Sequence, residues 1–156
     1  MKKTNNLLCF LLSFAMLVSL LTQVAFAEST NITNEADFLL ALENTETTEM
    51  NITGNVSVDA SIEKSIDINV KSGATLTLNF DEGENGISRV CNANIKVESG
   101  AFVIFENKTL NDSKAKRYLI MNGNFTLESR ASAKISKKSN PVGGILFQGE
   151  FKNEGT

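Results

Sequence analysis

Histidine and tryptophan are absent from this 156-residue chain, which holds one proline, one tyrosine and two cysteines. Each scarcity excludes a chemistry. Without histidine there is no imidazole general base and no His-centred nucleophilic triad, and most zinc sites lose their usual ligand. Cys9 and Cys91 are too few for a thiolate metal centre. No phosphate-cradling glycine motif is present; Gly143-Gly144, after Pro141, is a turn signal. Sugar platforms usually stack on Trp or Tyr, and Tyr118 alone is available here. No cofactor is expected.

Long apolar runs are scarce too. The one present, residues 7–21, is free of charge, follows Lys2 and Lys3, and leads to the small-x-small pattern Ala25-Phe26-Ala27. These are the three parts of a secretory signal peptide, expected over residues 1–27. A retained membrane helix needs roughly 20 apolar residues; this run is shorter, and polar Glu28-Ser29-Thr30-Asn31 follows it. Cys9 lies too early, behind Leu8, to be a lipid-anchored cysteine. The expectation is export, to the medium or the cell surface, with no membrane span after cleavage.

Cleavage after Ala27 leaves residues 28–156, enough for one domain with one core. Cys91 is then the single cysteine, so no internal disulfide forms and stability must come from packing. Beside Val90, Cys91 is expected to pack inward as a small apolar side chain. Charge is unevenly spread. Residues 28–106 hold 4 basic and 14 acidic side chains; residues 107–156 hold 9 and 4.

A repeat runs through the chain. Val70-Lys71-Ser72-Gly73-Ala74 recurs as Val97-Glu98-Ser99-Gly100-Ala101 and as Leu127-Glu128-Ser129-Arg130-Ala131. A degraded copy is expected at Lys152-Asn153-Glu154-Gly155-Thr156, so that the fourth position of the repeat falls at Gly73, Gly100, Arg130 and Gly155. Between these turns apolar and polar residues alternate with period two, as in a half-buried strand. Ile66, Ile68 and Val70 form one inward set; Ala74, Leu76, Leu78 and Phe80 form another. Ile95 with Val97, Phe125 with Leu127, and Ala131, Ala133 with Ile135 continue it. An antiparallel sandwich would alternate in the same way. The recurring turn favours an all-β solenoid, in which equivalent strands return after one full coil.

Residues 34–42 suit a capping helix, with Asn34 at its start, Glu35 and Asp37 in the first turn, and an apolar stripe of Phe38, Leu39 and Leu42. A polar loop over residues 45–49 should lead to a first strand at Ile52. The expected organisation is a signal peptide over 1–27, a cap helix and loop over 28–50, and a β-solenoid over 51–156. The solenoid is expected to be incomplete at its C-terminus and open there to end-to-end self-association.

The order "NEADFLLALEN", "MNITGNVSV", "SIDINV", "SGATLTLNF" resembles the start of pectate-lyase-like right-handed parallel β-helix domains, closest to those of bacterial surface proteins and adhesins. The resemblance covers residues 33–156. Lyases of that family use a basic arginine and several calcium-binding aspartates on one parallel sheet; its hydrolases use aspartates that activate water. Here Arg89, Arg117 and Arg130 follow no strand pattern beside paired aspartates, and no catalytic residue carries over.

Two clusters stand out as candidate sites. Asp81, Glu82, Glu84 and Asn85, on a glycine-bent stretch, offer hard oxygens to calcium or form a solvated turn. Lys114, Lys116, Arg117, Lys134, Lys137 and Lys138 would form a basic edge for a polyanion if stacking brings them together, or remain scattered solvated charges. Six Asn-x-Ser/Thr sequons reflect the Asn- and Thr-rich composition. Export and an acidic balance argue against a nucleic-acid partner. The expected function is a non-catalytic surface or secreted module in adhesion or spacing, its partner an extracellular or cell-wall polysaccharide. The alternatives are a partial polysaccharide lyase or hydrolase domain and a carbohydrate-binding module.

Overall fold

The computed structural model describes residues 28–79, 88–107, 117–137 and 143–155. Residues 1–27, expected as a signal peptide, and Phe80 lie outside them. The described elements are β1 (Glu28–Ile32), α1 (Glu35–Glu43), β2 (Thr47–Ile52), β3 (Asn55–Val58), β4 (Asp67–Val70), β5 (Thr75–Asn79) and β6 (Arg89–Cys91). Then come β7 (Asn94–Val97), β8 (Phe102–Asn107), β9 (Arg117–Met121), β10 (Phe125–Leu127), β11 (Ser132–Lys137), β12 (Gly143–Phe147) and β13 (Phe151–Asn153).

Every pairing among them is parallel. The first sheet has the order β1-β2-β4-β7-β10-β13, the second β11-β8-β5-β3, the third β12-β9-β6. From β2 onward the chain visits first, second and third sheet in that order and returns to the first. In the earliest circuit, a bridge from Ile62 to Cys91 stands in for the third-sheet strand. Parallel neighbours cannot be hairpins, so the antiparallel sandwich, the other source of period-two alternation, is excluded.

The repeated turn has a single backbone cause. Gly73, Gly100 and Arg130 sit at φ 80°, 79° and 67°. In each turn the N–H of the following alanine donates to the carbonyl three residues back, Ala74 to Lys71, Ala101 to Glu98 and Ala131 to Glu128, all at 2.9 Å. This is the third position of a type II turn, which demands positive φ. The fourth copy enters one residue later than its glycine suggests. Phe125 pairs with Phe151 and Leu127 with Asn153, so Gly155 aligns with Ser129 rather than with Arg130. A Cβ at Gly155 would lie 2.5 Å from the Ala131 carbonyl oxygen, so that glycine serves a close approach rather than the turn.

In-register stacking lays apolar rows one over another. Met50, Ile68, Ile95 and Phe125 form one row, and Ile52, Val70, Val97 and Leu127 a second. Val58, Leu78 and Phe105 line the second sheet's inner side, and Cys91 and Met121 the third's. All are buried and belong to one contiguous cluster. Ala133 and Ile135 depart from the expected burial. They alternate as anticipated, but β11 ends its sheet and has a neighbour on one side only, so Ile135 is 54% exposed.

The helix starts as expected: the Asn34 side chain accepts from the Asp37 N–H at 3.0 Å. Its buried face is Phe38 and Ala41, with Leu42 partly buried; Leu39 turns to the rim. Two strands near it escape a reading of the sequence. The expected polar loop over 45–49 overlaps β2, which begins at Thr47. Glu28–Ile32 pairs with β2 as an edge strand, and its single apolar side chain, Ile32, gives no alternation to read.

Candidate functional site

The outward side of the first sheet collects polar side chains in rows. At one register position stand Asn31, Asn51, Asn69, Lys96, Thr126 and Lys152. Two residues upstream stand Ser29, Glu49, Asp67 and Asn94. Strand alternation puts them outside because the intervening residues fill the core. A shallow groove of about 330 Å³ crosses this face, lined among others by Glu49, Asp67, Asn69, Lys96, Asn124 and Thr126.

Neutral donors hold its two carboxylates. Asp67 accepts from the Asn94 carboxamide at 2.9 Å; Glu49 accepts from the Ser29 hydroxyl and the Asn51 carboxamide, each at 3.1 Å. At the corner entering the sheet, the Asn94 Oδ1 accepts from the Asn124 N–H, and the Asn124 Oδ1 from the Glu150 N–H, both at 3.0 Å. Lys96 Nζ reaches Glu128 at 2.8 Å and Lys71 Nζ reaches Glu98 at 2.7 Å. The hydrogen bond with Glu128, then its charge, pushes the Lys96 ammonium pKa up; the Lys96 hydrogen bond pulls the Glu128 carboxyl down. Lys96 is exposed and Glu128 partly so, and water and salt screen the pair.

A second concavity of about 420 Å³ lies between α1 and the strands beside it, lined by Glu28, Asn31, Asp37, Asn44 and Thr47. The Thr47 hydroxyl is buried with no hydrogen-bond partner among the described residues.

The residues picked out from sequence fare unevenly. Asp81, Glu82, Glu84 and Asn85 lie outside the described residues, as do Lys114, Lys116 and Lys138. Arg117 opens β9 in the third sheet and Lys137 closes β11 in the second, so both flank the corner between those sheets. Lys134 stands apart from them, exposed in mid-strand beside Ile104. Among the described residues no group of three or more acidic or cysteine side chains could hold a metal ion.

One arginine does sit in a strand beside an aspartate. Arg89 heads β6 with its guanidinium largely buried and pairs with Asp59 at 2.5 Å. The partners belong to different circuits of the chain, a separation that no local motif spans. Cys91 packs inward, and burial pushes its thiol up to about 11, which makes it a poor nucleophile.

Compared with protein-family models, curated proteins and solved structures, the chain matches none. No helix among the described residues is long and apolar enough to cross a membrane.

Proposed function

We propose that this chain is a short right-handed parallel β-helix, exported and cleaved after Ala27, that acts outside the cell as a non-catalytic adhesion or spacer module with a polysaccharide as its partner. Three parallel sheets visited in constant order around one core support the architecture. The handedness follows the general rule for parallel crossovers, and the resemblance of residues 33–156 to pectate-lyase-like domains agrees with it. The helix α1 serves as the cap.

One observation carries the functional reading: the groove on the first sheet, with carboxamide, hydroxyl and charged groups in rows about 4.8 Å apart. A polysaccharide presents hydroxyls at regular intervals, and such rows offer donors and acceptors to them without an aromatic platform. A second reading has its own support. Glu49 and Asp67 are register partners on adjacent strands and both line the groove, and a retaining glycosidase needs two carboxyls about 5–5.5 Å apart. On that reading the chain is a remnant hydrolase domain.

The test is affinity electrophoresis of the exported chain through gels containing neutral or acidic cell-wall polysaccharides. At least one polymer should retard the wild type, and Asn69→Ala with Thr126→Ala should weaken retention at least tenfold with an unchanged melting temperature. Absence of retardation by every polymer sinks the binding reading. Release of new chain ends, lost in Glu49→Gln or Asp67→Asn, establishes the hydrolase instead.

A further inference from the structure

The groove on the first sheet sorts its charges. Glu49 and Asp67 are register partners on β2 and β4, so two carboxylates stand on strands about 4.8 Å apart. Like charges directly opposite each other destabilise a sheet. Each is held from its far side by a neutral donor, Glu49 by Ser29 of β1 and Asp67 by Asn94 of β7. The bonds to Glu49 fall on Oε1, from Ser29 and Asn51, and the bond to Asp67 falls on Oδ1. Glu49 Oε2 and Asp67 Oδ2 have no hydrogen bond or ion pair among the described residues. The lysine lining the groove does not relieve them, because Lys96 Nζ is taken by Glu128 at 2.8 Å. Lys71 is likewise taken, by Glu98 at 2.7 Å. Asn69, two residues beyond Asp67, donates its carboxamide N–H to Asn51 and keeps Oδ1 open among the described residues.

We infer that the groove takes an amine-bearing polysaccharide, one containing amino sugars with free ammonium groups, and seats an ammonium between Glu49 and Asp67. The inference rests on the polysaccharide reading proposed above and names the chemical class of that partner. An ammonium has three N–H donors and no acceptor. Glu49 Oε2, Asp67 Oδ2 and Asn69 Oδ1 supply three acceptors, and the positive charge offsets the repulsion between the two carboxylates. Sugar hydroxyls then meet the uncharged side of the groove, where Asn124 and Thr126 stand.

Charge separates this class from its neighbours. An acidic polymer would bring a third negative charge to the pair, and a neutral one would leave the repulsion in place. A metal ion fits less well: calcium takes about six to eight oxygens, and among the described residues no three acidic or cysteine side chains are grouped to hold one. Glu49 is half-buried and Asp67 exposed, so each contact is modest. Repeated amines along one polymer raise the apparent affinity, because a released sugar is replaced by the next.

The probes are two oligomers of β-linked glucosamine, one with free amines and one fully N-acetylated, titrated into the exported chain at low salt. The free-amine oligomer should bind roughly fivefold tighter or more, and the preference should fade as salt is raised. Glu49→Gln and Asp67→Asn keep the neutral hydrogen bonds and should each cut the preference roughly threefold. Their melting temperatures should be no lower than that of the wild type, since each removes a like-charge neighbour. Glu63→Gln removes an exposed carboxylate beside the bridge to the third sheet and should leave the preference unchanged. Equal binding of the two oligomers, a preference that survives both groove substitutions, or one that falls equally in Glu63→Gln overturns the proposal. Tighter binding of oligolysine also overturns it, by assigning the pair to a protein partner. Where the amine gives no gain but a neutral or acidic polymer still retards the chain, the polysaccharide reading stands and this inference alone falls. If nothing binds, both fall.

Discussion

Cys91 is where burial and protonation meet in one side chain. It sits on the inner side of β6, 1% exposed, and desolvation raises its thiol from 9.0 to about 11, outweighing a hydrogen bond from the Ala93 backbone. Above pH 9 the unfolded chain releases this proton while the folded chain keeps it. The stability this group supplies is therefore whole below pH 9 and is lost as pH climbs from 9 towards 11. That difference corresponds to about 2–3 kcal/mol by the top of the range. Urea midpoints at pH 8 and pH 10.5 should show a larger fall for the wild type than for Cys91→Ala. An equal fall in both would assign the alkaline loss to other groups. Arg130 shows a different economy at the same scale. It adopts the left-handed turn of Gly73 and Gly100 although a side chain there costs roughly 1–2 kcal/mol, and it closes the same turn, the Ala131 N–H donating to the Glu128 carbonyl at 2.9 Å.

At the scale of elements, the corner between the third and first sheets holds the closest glycine contacts among the described residues. Backbone lies on backbone there: a Cβ at Gly123 would run into the Ala93 carbonyl, and one at Gly149 would run into that of Gly123. Asn92 and Asn122 brace the same corner, the Asn122 carboxamide donating to the Asn92 Oδ1 at 2.8 Å. Gly123→Ala must push two circuits apart and should cost about 3 kcal/mol or more, a fall in Tm of roughly 10 °C. Gly144→Ala has nothing within 4 Å of its new methyl and should leave Tm nearly unchanged. Matched thermal melts check the pair; equal falls would mean that close stacking is not what the corner glycine serves. The helix α1 shows the opposite case, an element whose start is written locally. Asn34, Glu35 and Asp37 mark its first turn through cap and charge effects confined to that turn.

For the whole molecule, the proposed export has a direct consequence. Cleavage after Ala27 would leave Glu28 as the first residue of β1, so the edge strand that pairs with β2 would survive processing entire. Mass spectrometry of chain recovered outside the cell should find its amino terminus at Glu28. An intact Met1 terminus retained inside the cell would remove the extracellular setting on which the polysaccharide reading depends.

Much of this arrangement is local and therefore legible in the residues. The period-two alternation marks the inner rows, because a strand's side chains must alternate; Leu78 and Val97 lie where it places them. The repeated five-residue turn marks the return of the chain, because only a few sequences tolerate positive φ, and three of its four copies are in register. The strand at Glu28–Ile32 is not legible, since an edge strand needs one apolar contact and shows no pattern. Nor is the Arg89–Asp59 pair, which exists only because two circuits lie side by side. The groove likewise depends on parallel register: Glu49, Asp67, Lys96 and Thr126 are scattered along the sequence, and stacking alone sets them on one face. Alternation determined which side of each strand faces out; the register between strands, a property of the folded molecule, decided which outward residues became neighbours.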